Sequence, residues 1–296
     1  MSSSFETRLA DSKPILLDGA TGTELLRRGV DLSHPSWTAG IIRDDPRILK
    51  EIHRDYINAG AEIITANTFR THARNLESLG LADQARDLTC RAVDIVRDAA
   101  NQQSRVFVAG SVAPLEDCYT PALTPEDSRL KDEHASMAEN LKTAGVDLIL
   151  IETQVTIREA VYAAQAAQST GLPFLVSFVC NPDGNVFSGE SLLDAYHAIA
   201  PFQPNGFLVN CLPAEEVLGA LASVLALQSS IPSPIRSGAY ANTGRLMPDG
   251  SWEATSGSIS AVYAEFARQW KESGLQFLGG CCGTTPEFIS AIKDII

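Results

Sequence analysis

Six cysteines occur in the 296-residue sequence, at positions 90, 118, 180, 211, 281 and 282, and the last two are neighbours. They stand in Gly279-Gly280-Cys281-Cys282-Gly283-Thr284-Thr285-Pro286, straight after Phe277 and Leu278. A disulfide between neighbours is strained, because adjacent Cα atoms lie about 3.8 Å apart and ordinary disulfides need about 4.4–6.8 Å. Flanking glycines also make poor core. Two thiols on a sharp turn instead suit a soft metal ion, zinc above all, and zinc needs a further ligand. Thr284 or Thr285 is expected to cap a short helix opened by Pro286.

Cys211 and Cys180 each close an apolar, strand-like run and compete for the place of third ligand. Cys90 falls in a helical pattern and reads as core; Cys118 lies in a Pro-rich loop with no role assigned. Three thiolates leave one of the four tetrahedral positions of zinc open, the pattern of a catalytic rather than a structural site. A thiolate-rich site prefers a soft fourth ligand, and a substrate thiol fits best. A free thiol, with a pKa of about 8.5, is mostly protonated at neutral pH, and coordination removes that proton. The excess negative charge keeps the bound sulfur electron-rich. This chemistry favours alkylating a thiol over hydrolysis by a bound water.

The elements that must position these groups follow from hydrophobic patterning. Runs at 14–19, 61–68, 106–111, 146–152, 174–179, 206–211, 235–240 and 275–280 read as strands, and helical patterns fill the intervals between them. Most of the strands are apolar on successive residues, as a parallel sheet covered on both faces requires. Eight βα units in one chain predict an α/β fold, a TIM (β/α)8 barrel. The expectation is a single domain, 1–296, with residues 1–12 a flexible N-terminus. No Gly-x-Gly-x-x-Gly follows the first strand, which argues against a dinucleotide-binding open sheet. Active sites of such barrels lie at the C-terminal ends of the strands. Asp18, Asn67, Ser111, Glu152, Cys211, Tyr240, Asn242, Cys281 and Cys282 are therefore expected around one mouth.

Bulk properties narrow the classes. A formal net charge of −13 argues against nucleic-acid binding through a basic face. The N-terminus has no basic start or apolar core, unlike a signal peptide. No apolar run approaches about 18 residues, so no membrane span is expected. Cysteines scattered over a large domain fit a reducing compartment, and the cytoplasm is the expected location.

Taken together, these residues resemble the homocysteine S-methyltransferase family of zinc-dependent enzymes. The resemblance rests on Asp18-Gly19-Ala20-Thr21-Gly22-Thr23-Glu24-Leu25, Ala59-Gly60-Ala61 with Thr65-Ala66-Asn67-Thr68, Glu152-Thr153, Val209-Asn210-Cys211 and Gly279-Gly280-Cys281-Cys282-Gly283, which span the first strand to the last. It implies one zinc ion (Zn2+) per chain on Cys211, Cys281 and Cys282, which decides between Cys211 and Cys180. It implies that homocysteine binds the zinc through sulfur, with its ammonium and carboxylate held by Asp18 and the Gly19 turn and by Glu152. Asn67 and Tyr240 are further substrate-binding candidates. The zinc-bound thiolate would attack an activated methyl group and yield methionine.

Members of such a family use S-methylmethionine, S-adenosylmethionine, betaine or, through cobalamin, a methylfolate. The chain ends soon after the cysteine turn, without the added domains of the cobalamin enzymes or the extended C-terminal segment of the betaine enzymes. A methylsulfonium donor is therefore expected, S-methylmethionine first, with Tyr240, Phe69, Phe178 or Trp37 as an aromatic partner for its cation. Selenohomocysteine or selenocysteine is an alternative acceptor. The expected partners are these small molecules, with the chain a monomer or weak homo-oligomer. Two competing readings are a thiol redox protein, disfavoured by the lack of Cys-x-x-Cys, and a barrel that binds zinc or a ligand without turnover.

Overall fold

Strands that are apolar on both faces need a layer on each side, and the chain supplies both by closing its sheet into a ring. The computed structural model describes residues 4–32, 38–101, 105–247, 249 and 251–296. Its strands are β1 (Ile15–Leu16), β2 (Ile63–Ala66), β3 (Phe107–Val112), β4 (Leu148–Gln154), β5 (Phe174–Phe178), β6 (Gly206–Pro213), β7 (Arg236–Asn242), a hairpin of β8 (Gly244–Leu246) and β9 (Trp252–Ala254), and β10 (Phe277–Gly280). The helices are α1 (Phe5–Leu9), α2 (Thr21–Arg27), α3 (Ile41–Asp44), α4 (Pro46–Ala59), α5 (Ala73–Glu77), α6 (Ala85–Ala100), α7 (Asp127–Ala144), α8 (Ile157–Thr170), α9 (Leu192–Ile199), α10 (Val217–Gln228), α11 (Ser260–Glu272) and α12 (Pro286–Lys293).

Eight parallel strands run β1-β10-β7-β6-β5-β4-β3-β2. The ring closes where Leu17 bridges Ile63, with Glu62 N donating to Leu16 O (2.8 Å) and Asp18 N to Ile63 O (3.0 Å). This is the single-domain TIM-type barrel expected from the patterning, with strand bounds within a few residues of those expected. The period of two is clear once the ring is closed. Leu148 and Leu150 of β4 fill the barrel interior, while Ile149 and Ile151 pack under the helices. The two apolar clusters are therefore the inside and the outside of one wall.

Residues 1–12, expected to be flexible, contain helix α1, and that expectation fails from residue 4 onward. Phe5 and Leu9 are buried with the interior cluster that includes Ile15, Ile63, Phe107 and Phe277, and the Phe5 ring meets Phe107 edge-on at 5.3 Å between centroids. Arg8 donates to Glu62 through Nε (2.7 Å) and Nη2 (2.8 Å), and Arg236 Nη2 donates to Leu9 O (3.0 Å). The polar composition of this stretch hid two apolar residues at i and i+4, which is enough for one buried helical face. The helix closes the N-terminal end of the barrel. The β8–β9 hairpin was also unexpected: a three-residue strand with exposed side chains carries too little pattern to read.

Phe5→Ala is expected to lower stability by about 3–5 kcal/mol through the cavity left in the barrel floor. Urea denaturation checks it; a change under about 0.5 kcal/mol, the usual span of surface substitutions, contradicts the plug.

Candidate metal centre and cavity

The inward alternation continues one step above the apolar layers. Two residues past Ile63, Ala109, Leu150, Leu175 and Leu208 come Thr65, Ser111, Glu152, Ser177 and Asn210, all polar. Tyr240 of β7 joins them. The barrel interior thus changes from oil to hydrogen-bonding groups at the C-terminal ends of its strands, and Thr65, Ser111, Glu152 and Tyr240 of this layer line the floor of a cavity of about 850 Å³.

Within the floor each polar group has a partner, as burial demands. Asp18 accepts from Thr65 N (2.8 Å) and Thr65 Oγ1 (2.9 Å). Glu152 accepts from the Ser111 hydroxyl and from Tyr240 OH (3.2 Å). Asn210 ties three strands together. Its Oδ1 accepts from Thr153 N (3.1 Å) and Ser177 Oγ (2.7 Å), and its Nδ2 donates to Thr153 Oγ1 (2.9 Å) and Cys211 Sγ (3.3 Å). Burial pushes the carboxyls of Asp18 and Glu152 up to about 7 each, against the hydrogen bonds that favour the charge.

Cys211 and Thr153 have left-handed backbone, at φ +59° and +61°. Each follows an inward residue at a register shift of its strand. Such breaks re-aim side chains, and the left-handed conformation of a non-glycine residue costs about 1–3 kcal/mol. The Asn210 amide bonds to both residues and holds the two turns open.

Cys281 and Cys282 lie on the turn after β10. Cys281 N donates to Ala241 O (2.7 Å), Thr243 N to Cys282 O (3.0 Å), and Thr284 N to Cys281 O (3.0 Å). Gly283 N donates to Thr23 Oγ1 (2.9 Å). Gly283 has φ +85°, and a side chain there would run into Thr243. Thr285 takes the N-cap position of α12 without a side-chain cap bond. Thr284, the other expected cap, instead donates its hydroxyl to Cys281 O (2.7 Å) and accepts from Ala20 N (3.3 Å).

The sulfur atoms of Cys211, Cys281 and Cys282 all lie within 4.8 Å of one another, with Cys211 Sγ 2.9 Å from Cys281 Sγ. No other group of three His, Cys, Asp or Glu among the described residues meets that distance. Hydrogen bonds from Cys211 and then Cys281 hold the Cys282 thiol well below its ordinary value. Hydrogen bonding toward Cys281 and Cys282, with burial, raises that of Cys211. Three thiols gathered this closely are the donor set a thiophilic ion requires.

Asp18, Gly19, Asn67, Glu152 and Tyr240 line the same cavity as the three cysteines. Asn67 is engaged, accepting from Thr38 Oγ1 (2.6 Å) and donating to Thr38 O (2.9 Å). Cys180 is buried apart from the cluster, and Asn242 is buried outside the cavity lining. Of the aromatic candidates, Phe69 and Tyr240 line the cavity. Phe178 packs on Phe207 in the outer core, and Trp37 lies outside the described residues. Cys90 is half-buried rather than core. Cys118 lines the cavity, with its thiol pushed up to about 11 by burial.

Sequence reasoning missed the loop after β3 and the hairpin. Tyr119 stands beside the cysteines: charge on Cys211, then burial, then charge on Cys282 push its phenol well up. Its ring packs on Phe187 at 6.2 Å. Leu26, Leu246 and Trp252 form an exposed apolar rim to the cavity. Thr65, Ser177 and Asn210 were readable from strand parity; Tyr119 and Trp252, on irregular chain, gave no periodic signal.

A family model described as homocysteine S-methyltransferase matches residues 15–296. Homocysteine S-methyltransferase 2 of Zea mays is 29% identical over 94% of this chain and 88% of its own length. A selenocysteine methyltransferase of Astragalus bisulcatus is 28% identical, covering 95% of this chain and 92% of its own. The solved structure of the homocysteine methyltransferase MmuM from Escherichia coli, in its metallated form, superposes with a TM-score of 0.83 at 26% identity, covering 97% of this chain and 98% of that one.

Asp18→Asn separates binding from stability. The carboxyl is raised from 3.8 to about 7 by folding, so its burial destabilises the fold increasingly as pH climbs from about 4 to 7 and fully above 7. The variant is expected to be more stable than wild type by about 2 kcal/mol at pH 8 without substrate, with the advantage gone below about pH 4. Thermal denaturation against pH checks it; a variant less stable at pH 8 contradicts the buried charge.

Proposed function

The chain belongs to the homocysteine S-methyltransferase family, and on that premise we propose that it moves a methyl group from a methylsulfonium donor to the thiol of homocysteine, with zinc held by Cys211, Cys281 and Cys282. The observation that carries this reading is three thiols gathered within 4.8 Å on a cavity that also holds two carboxylates, buried Asp18 and half-buried Glu152. The donor set fits zinc, since three sulfur ligands leave one tetrahedral position for substrate. Zinc, when bound, supplies a Lewis acid that keeps a thiol deprotonated at neutral pH.

The remaining roles fall to the protein. Asp18 and Glu152 receive the ammonium of homocysteine, whose charge relieves the burial that keeps both carboxyls near neutral. Thr65 fixes Asp18, and Ser111 with Tyr240 fixes Glu152. The Gly19 turn faces the carboxylate end. Tyr119, beside the cysteines, offers an aromatic face to the sulfonium. The apolar rim of Leu26, Leu246 and Trp252 limits water. In the transfer, the homocysteine sulfur, its proton lost to solvent, donates the electron pair of the new C–S bond. The old C–S pair stays with the donor sulfur, which becomes a neutral thioether. Opposite charges vanish together, so holding the two sulfurs in line in a dry cavity is what the protein contributes.

The acids Asp18, Glu116, Asp117 and Glu152 line the cavity and favour a donor with net positive charge, which S-methylmethionine and S-adenosylmethionine carry and betaine does not. S-methylmethionine is the donor proposed first. Selenocysteine is the second acceptor to consider, because a three-thiolate site takes a selenolate as readily as a thiolate and the Astragalus relative is named for it. The cytoplasm is the compartment in which six free cysteines stay reduced.

Metal analysis of the purified protein is expected to give one zinc per chain, and homocysteine with S-methylmethionine to give methionine. Cys211→Ala is expected to lose most of the zinc and about a thousandfold or more in kcat. Full zinc retention by that variant, or no methyl transfer from S-methylmethionine, S-adenosylmethionine or betaine, contradicts the proposal.

A further inference from the structure

Arg70 follows β2 and lines the cavity. Among the described residues of that lining it is the only lysine or arginine, against four carboxylates. It pairs with none of them within 4 Å; Glu116, the acid nearest in sequence to its contacts, is taken by Arg74 (2.8 Å). Arg70 is nonetheless fixed. Nη1 donates to Glu116 O (3.0 Å) and Pro114 O (3.5 Å), and the guanidinium lies 5.0 Å from the centre of the Phe69 ring. These contacts orient the group without neutralising it. They use one nitrogen, and Nε and Nη2 make no hydrogen bond with the described residues.

Its position within the cavity is also defined. The two carbonyls belong to the loop after β3, which goes on to Cys118 and to Tyr119 beside the metal ligands. Burial pushes the Cys118 thiol up, and Arg70 is the leading charge that pulls it back. Its carbonyl contacts at Pro114 and Glu116 therefore place Arg70 on the Cys118–Tyr119 side of the cavity. A cation held by carbonyls in an acid-rich cavity is a receptor for an anionic group on a ligand, and a guanidinium suits a carboxylate.

We propose that Arg70 binds the carboxylate of the methyl donor, so that the donor is an amino-acid-type sulfonium recognised at both its charged ends. This rests on the methyl-transfer reading above. The sulfonium lies toward Tyr119 and the cysteines, and the carboxylate points outward to Arg70. A sulfonium without a carboxylate loses this anchor.

The test uses the zinc-loaded protein, homocysteine, and two donors, S-methyl-L-methionine and its methyl ester. Wild type is expected to prefer the acid over the ester by about tenfold to a hundredfold in kcat/KM, the range of a hydrogen bond to a charged group. In Arg70→Gln the preference is expected to fall within about threefold, with the KM of homocysteine unchanged. Arg70→Lys, which keeps the charge but loses the fork, is expected to retain part of it. The acid-to-ester ratio is insensitive to a general loss of activity from a loosened loop. A ratio in both variants equal to that of wild type overturns the inference and leaves the methyl-transfer reading intact. So does a rise in the KM of homocysteine with that of the donor unchanged. Failure of wild type to transfer methyl from either donor, or from S-adenosylmethionine or betaine, overturns both.

Discussion

Three sulfur atoms from two separate strand ends must be held within 4.8 Å of one another in a half-buried place. Left alone they repel as soon as more than one ionises, and nothing apolar can satisfy them. The surrounding structure is the answer to that constraint. Cys211 is pinned by its own left-handed backbone and by the Asn210 amide. The Cys281–Cys282 turn is stitched to β7, to Thr243 between β7 and β8 and to the α2 residue Thr23. The barrel supplies the rest, since a closed ring fixes the separation of β6 and β10 across β7 more rigidly than an open sheet.

The same cavity holds two carboxyls that burial has brought close to neutrality. In the fold alone this is a loss, because each would be more stable in water. It makes sense as ground prepared for a cation. A site whose acids are poised near neutral pH gains electrostatic energy when a cation arrives. The stability given up in the empty protein reappears as selectivity for ligands with positive charge, the usual relation between strained polar sites and function.

Most of this arrangement was legible because it follows from periodicity. Alternating strands and helices defined the barrel, and strand ends defined the mouth, so Asp18, Glu152, Tyr240 and the three cysteines could be placed together before any coordinates. Parity along each strand held more than was read: Thr65, Ser177 and Asn210 are inward by the same count that makes Glu152 inward. What escaped lies where the chain has no period. Tyr119 and Arg70 owe their positions to loop carbonyls and to side chains distant in sequence, and α1 is too short for its two buried residues to stand out. The polar composition of residues 1–12 suggests flexibility, whereas the i, i+4 spacing of Phe5 and Leu9 makes one buried helical face.

The order of strands around the ring has a consequence for how the protein comes into being. β10 lies between β1 and β7, so the first strand of the barrel pairs with the last, Ile15 with Phe277. During synthesis the earlier strands can assemble in sequence as they emerge, but the ring stays open until residues 277–280 arrive. Those residues lead directly into Cys281 and Cys282. The element that completes the wall and the one that completes the thiol set are the same short piece of chain. A growing polypeptide therefore exposes Cys211 without its partners for the time needed to add seventy residues, and it acquires the finished barrel and the finished thiol set in one event.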